Sequence, residues 1–236
     1  IYDTPAPQDK DPSSWVFWTF VIFFSIIISD AGYGFIYFLL ALFLKKKKAA
    51  KRFVTLVTSL SIGCMVWGVF TGAYFGIEFA PSSPVNKISI VHNLAVKKVD
   101  YHLENQDETY REWMMRFPKL KTVKNADQFL EEAFEMKEGR KSYIISDLCR
   151  DSILMEIALI IGVLHIALSL FRQLRRHFAG LGWIFAVVGG FLFFPKVLDS
   201  TSIVHFTYLI DKVTAFGIGE QLLYGGIGLA VILAVI

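Results

Sequence analysis

Long apolar stretches alternate with short polar ones along this chain. From Trp15 to Leu44 the only charged residue is Asp30, and from Phe53 to Ile77 there is none. Ser152 to Phe171 holds only Glu156 and His165. Phe178 to Phe194 holds no ionisable group, and Leu222 to Ile236 is again apolar. An α-helix rises about 1.5 Å per residue, so about 20 apolar residues cross a hydrocarbon core of about 30 Å. The pattern predicts an all-α integral membrane protein, a polytopic helical bundle.

The polar stretches give the order of parts. Residues 1–14, with Pro5, Pro7 and Pro12, read as a linker, and Trp15 and Trp18 follow where interfacial aromatics belong. Residues 15–79 hold the first membrane helices. The run 15–44 fits either one long tilted helix or a hairpin of two short ones turning at Asp30–Gly34, where two glycines favour a turn. Lys45, Lys46, Lys47 and Lys48 open a basic loop, and 53–79 reads as one helix. Residues 80–150 form a polar insertion. Leu103, Tyr110, Met114 and Phe117 lie at helical spacing there before Pro118, and Asn125 to Gly139 reads as a short amphipathic helix. Residues 151–236 hold the later membrane helices. They comprise a span at 152–171, a basic loop from Arg172 through Arg175 and Arg176, and a span at 178–195 closed by Pro195. A polar connection at 196–220 precedes a final span from about 221.

Short basic loops face the cytoplasm. Two spans separate Lys45–Lys48 from Arg172–Arg176, so both loops fall on one side and residues 80–150 fall outside. The expected location is the cell membrane, a bacterial inner membrane, with multiple passes.

Composition sharpens this picture only slightly. Mean hydropathy is +0.50 and 19% of the 236 residues are charged, against about 25% in soluble domains. The net charge of +3 carries no nucleic-acid signal, and the cations flank the apolar runs as topology signals do. The chain opens Ile1-Tyr-Asp-Thr-Pro and closes inside an apolar run, which reads as the middle of a longer polypeptide. Cys64 and Cys149 lack metal-ligand spacing and are not expected to pair. No nucleotide loop, nucleophile elbow or zinc pattern is present, so no metal, cofactor or catalytic residue is expected.

The intramembrane polar groups are the candidate chemistry. A charge at mid-bilayer costs several kcal/mol, about 2.5 to 3.5 on insertion scales, and faces protein or water. Asp30 is either an ion-path carboxylate or a turn residue at the far surface. Glu156 and His165 share one span, half a turn out of phase. Glu156 lies one turn inside the outer end, within reach of water. His165 lies deeper and is either a proton-transfer or helix-contact group or a packing hydrogen bond. Gly68, Gly72 and Gly76 recur every four residues, which on a helix makes one close-packing face. Arg172 to Arg176 suit a helix C-terminus, as cations do.

The run Ile28-Ser-Asp30-Ala-Gly32-Tyr33-Gly34 resembles the Gly-Asp-(Ala/Met)-Gly-(Tyr/His)-Gly segment of the large membrane stator subunit of V/A-type rotary ATPases, called subunit I or subunit a. Trp67-Gly68-Val-Phe-Thr-Gly72-Ala-Tyr-Phe-Gly76 resembles that family's next helix, and Ile161-Gly162-Val-Leu-His165 its Gly-x-x-His/Gln helix. The three segments come in the family's order and cover nearly all of 12–195 outside the insertion. Ser29 departs from the usual Gly, Thr71 replaces a common Gly, and 80–150 is longer than in many bacterial relatives.

The resemblance implies about six of eight membrane helices, the first two as a short hairpin, with a small helical extramembrane insertion. It implies a non-catalytic stator role in proton or sodium transport beside a proteolipid rotor ring, within the lipid bilayer. Links to the peripheral and central stalks would run through an N-terminal arm not included here. Asp30, Glu156 and His165 are the ion-path candidates. Gly32, Gly34, Gly68, Gly72, Gly76 and Gly162 are the packing positions. The family's essential arginine motif, Tyr-Leu-Arg-Leu-x-Ala-Leu, does not occur in the sequence. Two other classes compete: a secondary transporter fragment with a site at a broken helix near Asp30–Gly34, and a receptor or assembly module built on 80–150.

Overall fold

The computed structural model describes residues 11–77, 79–137, 139–174 and 177–235, the side chain of Gln173 excepted. Contacts divide the chain into two compact units, Ile1–His92 and Asn93–Ile236.

In the first unit the apolar run from Trp15 forms α1 (Ser13–Ile28), and Ser29 ends it in the left-handed conformation, φ 44°. Asp30 then takes extended angles and caps α2 (Ala31–Lys46). A third helix, α3 (Lys51–Thr71), packs on both. Side chains Val21 and Ser25 of α1 lie against Gly63, and Ser29 bonds to Thr71, so α1 runs parallel to α3. Ala31 lies against Gly68, and Gly34 against Cys64 and Met65, so α2 runs antiparallel to α3. The 15–44 run is therefore a hairpin. Its turn is Ser29–Asp30, however, and not the glycine pair, because Gly32 and Gly34 sit inside the first turn of α2.

The helix expected over 53–79 stops at Thr71, where Gly72 takes φ 74° as its cap. Residues 72–77 form a turn, and α4 (Pro84–Ile88) follows. The three evenly spaced glycines therefore do not share a helix face: Gly68 is helical, while Gly72 and Gly76 supply left-handed backbone, φ 74° and 65°.

α5 (Ile90–Asn105) carries the unit boundary within it. In the second unit it is followed by α6 (Glu108–Arg116), a 3-10 turn at Pro118–Thr122, and α7 (Ala126–Glu132). The amphipathic helix expected over Asn125–Gly139 ends at Glu132. Strands β1 (Glu135–Lys137) and β2 (Arg140–Ser142) then pair antiparallel, Met136 opposite Lys141, around Gly139 at φ 79°. Glycine takes that turn without the Cβ penalty. The insertion is thus helical with one small hairpin. Trp113, Phe129, Leu130, Ile145 and Ile153 are buried in the second unit.

α8 (Ile144–Gln173) begins well before the expected span at 152. Its 30 residues are about 45 Å long, more than a hydrocarbon core needs. Ile145, Cys149 and Ile153 in its first turns are buried, while the apolar remainder exposes Leu159, Leu164, Leu168 and Phe171. α9 (Ala179–Val197) runs through Pro195 to Val197, so the proline does not close it. α10 (Ile203–Phe206) is one turn, and α11 (Lys212–Val235) begins nine residues before the expected 221. α9 and α11 pack antiparallel on glycines. Gly182 and Ala186 meet Gly226 and Ala230, and Gly189 and Phe193 meet Leu223 and Gly219. A Cβ at Gly189 or Gly226 would press on the facing backbone, which is why this pair can approach so closely.

Among the described residues four helices are long and apolar enough to cross a membrane: α3, α8, α9 and α11. α1 and α2, at 16 residues each, reach only about 24 Å. The chain is a helical membrane protein. Cys64 and Cys149 are both buried and free.

Candidate functional site

The two acidic residues of the apolar runs each accept hydrogen bonds at the start of a helix, but they are built differently. Asp30 is 6% exposed. Its Oδ1 accepts from the Tyr33 amide at 3.0 Å, the N-cap bond of α2. The same oxygen accepts from the Phe75 amide at 3.0 Å, and Oδ2 accepts from the Gly76 amide at 2.9 Å. The Ala31 amide donates to the Ala73 carbonyl at 2.9 Å, and Ser29 Oγ donates to Thr71 Oγ1 at 3.2 Å. One carboxylate thus ties the hairpin turn to the 72–77 turn through three backbone amides.

The neighbouring glycines make that approach possible. A Cβ on Gly68 would overlap the Ala31 amide, and one on Gly32 would strike the Phe75 ring. A Cβ on Gly76 would meet nothing within 4 Å. Its requirement is conformational, φ 65° with its N–H aimed at Asp30, so the packing role expected for Gly76 is replaced by a turn role. Gly72 likewise serves as the α3 cap, with Asn86 and Ser89 close by.

Glu156 lies half-buried on α8 and reaches the first turn of α10. Its carboxylate accepts from Ser202 Oγ and from the Ile203 amide, the latter at 2.8 Å to each oxygen. Ser202 also caps α10 at Val204, and the Ser202 amide donates to His205 Nδ1 at 3.2 Å. One turn earlier on α8, Ser152 Oγ accepts from Lys98 Nζ at 2.7 Å. Lys98 also stands over the Phe206 ring, 6.0 Å from its centre. Groups from α5, α8 and α10 therefore meet beside Glu156. Lys98, Ser152, Ser202 and His205 were not singled out from sequence. Ser202-x-x-His205 has the spacing of a capping box, with His at the third helical position, and that was the signal available. Burial pushes the His205 imidazole below its ordinary value, and Lys212 adds to this while Asp211 opposes it.

His165 is half-buried, nine residues beyond Glu156 on α8, about 13 Å along the axis. The two are not brought together. A Cβ on Gly162 would meet nothing within 4 Å, so no contact within this chain requires glycine there, contrary to the packing role expected for it. Lys45 and Lys46 end α2, where cations suit the helix dipole. Lys47 caps that helix and Lys48 follows in the turn. Arg172 lies in the last turn of α8, while Arg175 and Arg176 lie outside the described residues, as do residues 1–10 of the linker.

The insertion holds a further pair, a buried histidine beside a half-buried acid. His102 is 1% exposed, and its Nδ1 lies 2.6 Å from Asp107 Oδ2. Its ring meets Trp113 and Tyr101 edge-on, and Nε2 has no hydrogen-bond partner among the described residues. Burial pushes this imidazole below its ordinary value and outweighs the opposing pull of Asp107, with Lys98 and Lys212 acting in the same direction as burial. Among the described residues no group of three His, Cys, Asp or Glu side chains could hold a metal ion.

Known proteins resemble this chain along its whole length. It is 40% identical over 245 residues to V-type ATP synthase subunit I of Chlamydia pneumoniae, covering 100% of this chain and 37% of that protein. It is 37% identical over 246 residues to V-type ATP synthase subunit I of Chlamydia trachomatis serovar D, covering 100% and 38%. The protein of the same name from Chlamydia muridarum is 37% identical over 242 residues, covering 98% and 37%. The chain therefore spans little over a third of the length of these relatives. No family model matches it, and no solved structure matches it.

Proposed function

The chain belongs to the V-type ATP synthase subunit I family, and on that footing we propose that it forms part of the membrane stator of an ion-translocating rotary ATPase. Its partner in the membrane is a rotor ring of proteolipid subunits, whose carboxylates it serves by contributing to the ion half-channels. The ion is a proton or sodium. The peripheral and central stalks attach through parts of the subunit outside this chain. The hairpin helices α1 and α2 join the four longer helices to give six membrane elements. Lys45–Lys48 and Arg172–Arg176 face the cytoplasm of the cell membrane, and the insertion faces outside.

Glu156 is the observation that carries the ion-path part of this reading. It is a half-buried carboxylate on an apolar span, and the bonds described for it come from a hydroxyl and one amide at the start of a one-turn helix. Such a group can exchange partners with a proton, a cation or water at small structural cost. His165, deeper on the same helix, is the second ion-path group. Asp30 has a different role: every carboxylate bond described for it goes to fixed backbone, so it staples the hairpin to the α3 end.

Co-purification tests the assignment. Affinity purification of the intact subunit in mild detergent should bring down a ring of small proteolipid subunits in stoichiometric amount. Recovery of folded subunit with no ring at any salt or detergent condition would sink the proposal.

A further inference from the structure

The corner between α2 and α3 holds a concentration of charge that no described acidic side chain pairs with. Lys45, Lys46, Lys47, Lys48, Lys51 and Arg52 fall within eight residues, and no acidic residue occurs between Asp30 and Glu78. Among the described residues none of the six is ion-paired. α3 begins there with Ala50 as its N-cap, no side-chain cap and no acid in its first turn. Its first amides therefore lack intrahelical acceptors and add partial positive charge.

Two cavities flank this helix start. One, of about 410 Å³, is lined by Lys45, Lys51, Thr55, Thr58 and Ser59 among others. The other, of about 450 Å³, is lined by Phe17, Lys51, Arg52, Thr55 and Leu56. They share Lys51 and Thr55, so a single ligand with two branches can occupy both while its anionic centre meets the shared Lys51. Each cavity is mainly apolar with a cationic rim. Thr55 and Thr58 donate their protons to the carbonyls of Lys51 and Val54, at 3.0 and 2.7 Å. Their oxygens can therefore only accept from a ligand, which favours a hydroxylated headgroup over bare phosphate. Phe17 stands between exposed Trp15 and Trp18 on α1, so the cavities lie at the interfacial depth that such aromatics mark.

We infer that the α2–α3 corner is a binding site for one anionic glycerophospholipid with a hydroxyl-bearing headgroup. Its phosphate lies among Lys45, Lys51 and Arg52, its headgroup hydroxyl donates to Thr55 or Thr58, and an acyl chain lies along Phe17 and Leu56. Charge complementarity, cavity shape and membrane depth agree on this occupant. Lys46, Lys47 and Lys48 line neither cavity and supply long-range attraction alone.

The test compares two triple variants of equal charge. Intact protein is equilibrated in nonionic detergent micelles containing phosphatidylglycerol or phosphatidylcholine, and bound lipid is quantified after separation. K45Q/K51Q/R52Q should lower phosphatidylglycerol affinity about tenfold and K46Q/K47Q/K48Q about twofold, since cations near the surface each add modest attraction. An equal fall in both would overturn the site and leave only a diffuse cationic surface. A millimolar excess of inorganic phosphate should leave lipid retention unchanged, and displacement would identify a free-anion site and refute the lipid. Should the cavity variant fail to fold, T55V/T58V keeps every charge. It should reduce the preference for phosphatidylglycerol over phosphatidic acid, which has no headgroup hydroxyl, and an unchanged preference contradicts the proposal.

Discussion

Asp30 and Glu156 are both acids in apolar runs, and both end at a helix start, yet the chain treats them in opposite ways. Asp30 is short, buried and surrounded by amides whose positions are fixed by a turn containing Gly72, Phe75 and Gly76 at positive φ. Moving its carboxylate would expose three amides at once. Glu156 is longer, half-buried, and reaches 46 residues along the chain to a serine hydroxyl and one amide of a four-residue helix. Losing those bonds frays one turn and leaves α8 intact. A buried carboxylate with several fixed donors is a structural fastener, and one with few, movable donors is free to take part in transfer. Burial and donor count, more than membrane depth, separate the two proposed roles.

The largest expected effect breaks the Asp30 side of this comparison. Asp30→Ala leaves the amides of Tyr33, Phe75 and Gly76 without their acceptor, at about 1–3 kcal/mol for each that stays dry. A loss of at least about 3 kcal/mol is expected, read as a fall in the thermal unfolding midpoint of the purified protein. A variant within 0.5 kcal/mol of wild type would refute the fastener role.

Glycine substitution comes next and sharpens the contrast between the units. Gly68→Ala forces α3 off the Ala31 backbone, with an expected cost of about 1–3 kcal/mol as overpacking. Gly162→Ala on α8 meets open space and should change stability by less than about 0.5 kcal/mol. Equal effects would show that the difference in packing is not real.

A smaller effect concerns His102. Its folded-state value lies below the ordinary one, so the native protein favours the neutral imidazole. Its contribution to stability is present above the unfolded value of about 6.5 and is lost as pH falls through the folded value. The opening free energy of the α5 and α6 amides, read from hydrogen exchange after correction for the intrinsic pH dependence of exchange, should therefore fall on acidification through that window, and His102→Gln should flatten the dependence. A corrected opening free energy that rises on acidification would reverse the sign and exclude the argument.

The smallest effect lies at Ser29. A non-glycine residue at φ 44° costs about 1 kcal/mol, so Ser29→Gly should stabilise the hairpin by at most about that, less whatever the Thr71 hydrogen bond contributes. A clear destabilisation would make that hydroxyl bond the stronger term.

Apolar run lengths and basic loops made the helical membrane character and the order of the helices legible in the sequence. Boundaries failed where composition and conformation part. α8 starts at Ile144 because its polar Asp147, Arg150 and Asp151 interrupt hydropathy without interrupting the helix. Gly72 and Gly76 kept a helical period while adopting angles that end a helix. Ser29-Asp30 before an apolar run is a cap signature, yet the nearby glycine pair extended the expected turn to Gly34, while α2 already begins at Ala31. The Glu156 partners are distant in sequence, and no local pattern joins residues 156 and 202. The Asp30 amides were hidden for the same reason, because backbone donors carry no side-chain signature.

The most direct test of the division between the two carboxylates is ATP-driven ion transport per assembled complex, measured in vesicles alongside the amount of subunit recovered with the proposed rotor ring. Asp30→Asn should lower the amount assembled and leave transport per complex near wild type. Glu156→Gln should assemble normally and lose transport. Full transport by Glu156→Gln, or normal assembly with abolished transport by Asp30→Asn, would contradict the account.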